Sequence, residues 1–227
     1  MKNITKEPIK VWEDVYQIGG AGISSFDDCS IYLVNAEPEL VLIDSGTGES
    51  FDKLVENIRG LGLEPEKLSM IIVTHAHIDH IGSLAKLKEK FNSKILAHQL
   101  DVEKIESGEK VGAELYGVIY EPCQVDIKLS KDEESLQIGK YEFKLLHIPG
   151  HTPGSIACYL DISGKRVLFG QDVHGPYNLP GADPEKAKTS LQKLIDLHSD
   201  ILCEGHYSIY QPKERVEEYI LSYLREL

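Results

Sequence analysis

Short apolar runs rich in β-branched residues alternate along this chain with stretches where apolar side chains recur every three or four positions. The first kind reads as strand and the second as amphipathic helix. In the first half, Val11 to Ile18, Ser30 to Val34, Leu40 to Ile43, Leu68 to Val73 and Lys94 to Ala97 read as strands. Helical spacing fills Glu49 to Arg59 and the stretch after His80. The second half gives strands at Val125 to Leu129, Ser135 to Ile138, Tyr141 to Leu146, Ser155 to Leu160 and Lys165 to Phe169. Glycine turns such as Ile138-Gly139-Lys140 and Ser163-Gly164-Lys165 join them. A helix from Pro184 to Leu197, the strand Ile201-Leu202-Cys203 and a helix from Pro212 to Leu224 close the chain. Strands interleaved with helices in both halves predict an α/β layered protein with two sheets.

Between His98 and Val125 the pattern weakens to two short helical pieces, near 101–106 and 111–116. We read residues 98–125 as an insertion that covers a site, or as two helices packing at its rim. No linker, low-complexity tract or repeat divides the 227 residues, which are expected to form one domain, 1–227.

Charge narrows the partners. Lys and Arg number 24 against 37 Asp and Glu, a formal charge of −13, so the surface repels a phosphate backbone and a general nucleic-acid binder is disfavoured. The segment Met1 to Lys10 has no apolar core of a leader, and no apolar run approaches a membrane span. A cytoplasmic protein without membrane or nucleic-acid partners is expected. Cys29, Cys123, Cys158 and Cys203 are widely spaced, without a Cys-x-x-Cys pair, and read as reduced thiols. Cys158 and Cys203 lie in strand-like runs, where cysteine packs as a small hydrophobe.

The candidate chemistry begins at the end of the Leu68 to Val73 run. Thr74-His75-Ala76-His77-Ile78-Asp79-His80 crowds three imidazoles and a carboxylate together, a costly set to bury unless cations satisfy them. In an extended segment His75, His77 and Asp79 point one way, while a turn near Asp79-His80 lets His80 swing back. His75 and His77 could then serve one metal, Asp79 and His80 another. Three later runs end in the same manner: Leu145 to Ile148 leads to Pro149-Gly150-His151-Thr152-Pro153-Gly154, Val167 to Gln171 leads to Asp172, and Ile201 to Gly205 leads to His206.

The set H-x-H-x-D-H, P-G-H-T-P-G-S, an Asp after a strand and a late G-H, in that order across nearly the whole chain, resembles the metallo-β-lactamase superfamily. That resemblance implies a four-layer αββα sandwich with a two-metal site on one edge. His75, His77 and His151 would hold one metal, Asp79, His80 and His206 the other, and Asp172 would bridge them. Asp44, after Leu42-Ile43, matches the early Asp that supports the metal loop in the family. Imidazole and carboxylate ligands suit zinc first, and iron or manganese also. No cysteine stands at the bridging position, unlike the lactamases with a thiolate ligand. His77 stands where the flavo-di-iron branch has Glu.

Two cations about 3.5–4 Å apart bring a shared water towards neutral pKa, so the resemblance implies a binuclear hydrolase of a small ester, thioester or lactone, with Asp79 orienting or accepting a proton. Glyoxalase II shares these ligands but usually has a C-terminal helical extension, whereas 21 residues follow His206 here. Quorum-signal lactonases place Tyr three residues after the bridging Asp, where this chain has Gly175. Gln171 replaces the Gly usual before that Asp. His174 and Tyr177 are candidates to touch substrate, with Tyr116, Gln171 and Tyr207 as pocket residues; His98, His147 and His198 read as structural. The other readings are an iron persulfide dioxygenase on the same fold, with one metal, and a phosphodiesterase or nuclease, for which no added domain is visible. Homodimers are common in this fold, and a homodimer is an open expectation here.

Overall fold

A computed structural model describes residues 6–227; the first five residues of the segment read for a leader lie outside it. The N-terminal half forms a seven-stranded sheet in chain order: β1 (Ile9–Trp12), β2 (Val15–Gly19), β3 (Ile31–Asn35), β4 (Leu40–Ile43), β5 (Leu68–Ile72), β6 (Lys94–His98) and β7 (Ile127–Leu129). Strands β1 to β4 pair antiparallel, and β4 to β7 parallel. Parallel neighbours need crossovers, supplied by α1 (Phe51–Gly60), by α2 (Ile78–Ile81) with α3 (Leu84–Phe91), and by α4 (Gln99–Ser107) with α5 (Ala113–Tyr116).

The second sheet runs in space β13 (Ile209–Tyr210), β12 (Ile201–Glu204), β11 (Lys165–Gln171), β10 (Ile156–Ile162), β9 (Tyr141–His147) and β8 (Glu133–Ile138). Helices α6 (Pro184–Asp196) and α7 (Lys213–Leu224) cover it.

Side-chain alternation explains the layering. Leu40 and Leu42 pack with Leu54 and Ile58 of α1 and Leu84 and Leu87 of α3, while Val41 and Ile43 face Phe143, Cys158 and Phe169 of the other sheet. On β11, Val167 and Phe169 join that central core and Leu168 turns to Leu191 and Leu194 of α6. Strands buried on both faces read as unbroken apolar runs, and this is why the run 68–73 shows no polar alternation. Three apolar layers between helix, sheet, sheet and helix give the αββα order that the resemblance implies.

Two local readings are refined. Val11 to Ile18 is a hairpin and not one strand, because Glu13-Asp14 turns the chain and pairs Trp12 with Val15. Of the two readings of 98–125, helix α4 fits the packing one: Val102 and Ile105 are buried in the same cluster as Ile95 and Ala97 of β6, so it belongs to the outer helical layer. Leu115 of α5 and Ile119 just after it stand out into solvent, 83 % and 97 % exposed. All four cysteines are free, and Cys158 and Cys203 are buried in the central core. Among the described residues, no helix is long and apolar enough to cross a membrane.

Candidate metal centre

Strands β4, β5, β11 and β12 deliver their following loops to one edge, since β5 is parallel to β4 and β12 to β11. The C-terminal ends of parallel strands are where α/β proteins gather sites. After β5 the chain stays extended through His77, which has φ −97° and ψ 148° and precedes the first residue of α2. His75 and His77 therefore share a side, as alternation predicts. Asp79 does not follow alternation: α2 starts at Ile78, one residue before it, so Asp79 and His80 project from a helical turn.

The His75 Nε2 to His77 Nδ1 distance is 2.9 Å and His151 Nε2 to His77 Nδ1 is 3.0 Å. Three imidazole nitrogens thus face one point. A second group forms from Asp79, His80 and His206, with His206 Nε2 3.1 Å from Asp79 Oδ2 and His80 Nε2 3.6 Å from the same oxygen. Asp172 stands between them. Its Oδ2 lies 3.4 Å from both His151 Nε2 and His206 Nε2, and 3.8 Å from His75 Nε2, while Oδ1 lies 3.4 Å from His80 Nε2.

Backbone conformation aims these carboxylates. Asp44 and Gln171 both sit in the left-handed region, with φ 62° and 53°, which costs a side-chain-bearing residue roughly 1–2 kcal/mol. A glycine at position 171 would adopt this conformation without that cost. Opposite, Gly205 passes so close that a Cβ there would overlap Asp172 Oδ1. Asp44 accepts from the Thr74 N–H at 2.8 Å, the Thr74 hydroxyl at 2.7 Å and His80 Nδ1 at 2.8 Å. That bond directs His80 Nε2 into the centre, where it is buried without a hydrogen-bond partner, as is Asp172 Oδ1.

Electrostatics divide the histidines. Burial, reinforced by neighbouring imidazoles, holds His75 well below its usual range and His77 down to about 3. Burial also lowers His151, against the pull of Asp172. Burial opposes charging of His206 too, but hydrogen bonds to Asp172 and Asp79 outweigh it and raise it to about 10. His80 is likewise lowered by burial but held well above its range by the carboxylates of Asp172, Asp79 and Asp44. Burial raises Asp79 and Asp172, yet His80 and His206 keep both below the ordinary carboxylate range. Protons on two histidines balance carboxylates that lie 4 % exposed. Divalent cations can take over this role, and the donor set suits them: clusters His75-His77-His151, His75-His80-Asp172 and Asp79-His80-His206 each bring their ligand atoms within 4.8 Å of one another.

The remaining candidates are placed unevenly. Tyr116 is half-buried with its hydroxyl beside Asp79; burial and that carboxylate push it up to about 12. His174 hydrogen-bonds Glu204 Oε1 through Nδ1 at 2.8 Å, and exposed Tyr207 meets its ring edge-on at 4.8 Å. Gln171 turns inward, with Oε1 buried and unpartnered, and so does not line an open pocket. Tyr177 was expected to touch substrate, but its hydroxyl donates to the Val173 carbonyl at 2.8 Å, and its ring packs against His151. Tyr177→Phe should change kcat/KM less than about threefold and cost about 1 kcal/mol in urea unfolding, one hydrogen bond's worth. His98 and His147 stack on each other with ring centroids 3.8 Å apart, and His198 pairs with Glu217.

Sequence reading missed Asp101 and Glu204, both buried at the site's margin. Asp101 lies in the first turn of a helix and Glu204 ends a strand; the signal each offers is a charged residue where the pattern demands burial.

Comparison with known proteins agrees with this architecture. The profile described as the metallo-beta-lactamase superfamily matches residues 25–206. A probable metallo-hydrolase of Methanocaldococcus jannaschii is 30 % identical, covering 86 % of this chain and 93 % of the relative. A hydroxyacylglutathione hydrolase of Haemophilus influenzae is 28 % identical, with the same 86 % and 93 % coverage. A motif mutant of a metallo-β-lactamase from Cronobacter sakazakii superposes with a TM-score of 0.82 at 20 % identity, over 98 % of this chain and 95 % of that one. At that identity the likeness is one of fold.

Proposed function

Because the chain belongs to the metallo-β-lactamase superfamily, we propose that it is a metal-dependent hydrolase with a two-cation centre, acting on a small ester, thioester or lactone. The observation that carries this reading is the placement of the Asp172 carboxylate between two nitrogen-rich clusters, within 3.4–3.8 Å of four histidines. His75, His77 and His151 would hold one cation, Asp79, His80 and His206 the other, with Asp172 shared. Zinc is the first candidate for this set of imidazoles and carboxylates, with iron or manganese as alternatives; burial keeps the nearby sulfur of Cys29 a thiol.

Two such cations supply Lewis acidity, lowering the pKa of water and polarising a carbonyl. The protein's own groups do the rest. Asp79 is proposed to orient or accept a proton, with the Tyr116 hydroxyl beside it. Asp44 fixes the ring of His80. Tyr116 beside Asp79, His174 beside His206, and Tyr207 against His174 are proposed to contact the acyl or leaving group. The short chain after His206 does not argue against a glutathione thioester, because the Haemophilus influenzae enzyme is matched over 93 % of its own length.

The test is a panel of thioesters, lactones, phosphodiesters and β-lactams, assayed with zinc-, manganese- and iron-loaded protein. Hydrolysis of a thioester, ester or lactone is expected. Activity on phosphodiesters alone would contradict the acyl reading, and one iron per chain with oxygen uptake would replace it with persulfide oxidation.

A further inference from the structure

Asp101 and Glu204 are 1 % and 0 % exposed and hydrogen-bond the loops that carry the converging residues. Asp101, in the first turn of α4, accepts from the Ala76 N–H at 3.0 Å and the Thr152 hydroxyl at 2.8 Å through Oδ2, and from the Gly154 N–H at 3.1 Å through Oδ1. Ala76 separates His75 from His77, and Thr152 follows His151. One carboxylate thereby ties a loop of the first sheet to a loop of the second. Gly154 lets it approach: a Cβ there would lie 2.6 Å from the Asp101 carboxyl carbon.

Glu204 does the same on the other side. Its Oε2 accepts from the His206 N–H at 2.6 Å and the Tyr207 N–H at 2.9 Å, while Oε1 accepts from His174 Nδ1 at 2.8 Å. His174 lies two residues past Asp172, so Glu204 joins the loop after β11 to the loop after β12. Burying a carboxylate is costly unless donors surround it, and here those donors are groups of the ligand loops themselves.

We propose that Asp101 and Glu204 are positioning residues that each set the affinity of a different metal position: Asp101 that of His75, His77 and His151, and Glu204 that of the Asp172 and His206 side. This division rests on the two-cation reading above. Hydrogen-bond partners of ligands tune metal affinity by about ten- to a hundredfold. The bonds from Asp101 end on the loops that carry His75, His77 and His151, and those from Glu204 on the loops that carry Asp172 and His206.

The experiment measures zinc occupancy at each position by anomalous diffraction from crystals equilibrated at a series of free zinc concentrations. The wild type is compared with Asp101→Asn, Gly154→Ala and Glu204→Gln, and thermal unfolding is followed for each metal-free protein. Asp101→Asn and Gly154→Ala should need about ten- to a hundredfold more zinc to fill the first position, with the second filling as in wild type. Glu204→Gln should show the reverse. Occupancies like wild type in all variants, with or without a lower Tm, would overturn the proposal. So would equal depletion of both positions by either carboxylate variant. Fewer than two zinc ions in wild type would instead overturn the two-cation reading on which it rests.

Discussion

Replacing Asp172 with alanine is expected to abolish binding of a full pair of zinc ions and to lower turnover by roughly a thousandfold or more, since metal ions contribute several kcal/mol of charge stabilisation to such reactions. Asp172 is 4 % exposed, and its two oxygens reach both clusters. Removing it leaves His80 and His206 without the carboxylate that lies 3.4 Å from both. Asp172→Asn tests charge separately from shape: the amide fits the same space beside Gly205 but cannot balance two cations. We expect Asn to behave nearly as badly as Ala. Metal content by plasma emission and kcat/KM on the best substrate of the panel check both variants, and full activity with two metals bound would refute the assignment.

The second large effect is on protons. In the metal-free protein His206 is raised to about 10 and His80 also lies well above its usual range, so both are charged near pH 7.5. Zinc requires neutral imidazole, and loading should therefore release about two protons per chain from this pair. Calorimetry in buffers of different ionisation enthalpy counts them. No release would mean that the two histidines are already neutral or do not receive the metal.

The same shift gives metal-free stability a definite sign. A histidine with a folded pKa near 10 and an ordinary unfolded value near 6.5 stabilises the fold fully below about pH 6.5. That contribution disappears as pH rises through about 10. On the acid side His77, held at about 3, stays neutral in the folded state while the unfolded chain takes up a proton. Stability therefore also falls from about pH 6.5 towards 3. Chelator-treated protein should show this narrow optimum in Tm against pH, and zinc-loaded protein should lose the decline on the alkaline side.

Much of the architecture was legible because double-sided burial writes itself as unbroken apolar runs. The runs at 40–43, 68–73 and 201–203 became β4, β5 and β12, and their following residues became the site. What failed was local geometry decided by tertiary contacts. Alternation placed Asp79 beside His75 and His77, but α2 begins a residue before it. The hairpin at Glu13-Asp14 lacks glycine, and the two-residue strand β13 is defined only by its pairing with β12. Asp101 was hidden by the weak pattern of 98–125, since its role depends on Ala76, Thr152 and Gly154, residues distant in sequence. Tyr177 sat where a substrate contact was expected, and only the Val173 carbonyl revealed what its hydroxyl does.

The central claim is that two cations act together at this edge of the sandwich, and it is tested most directly by adding zinc stepwise to the metal-free protein while following hydrolysis of the best substrate. The account predicts that activity develops with binding and reaches its plateau at two equivalents per chain. A plateau at one equivalent, or two bound zinc ions with no hydrolysis of any ester, thioester or lactone, would contradict it.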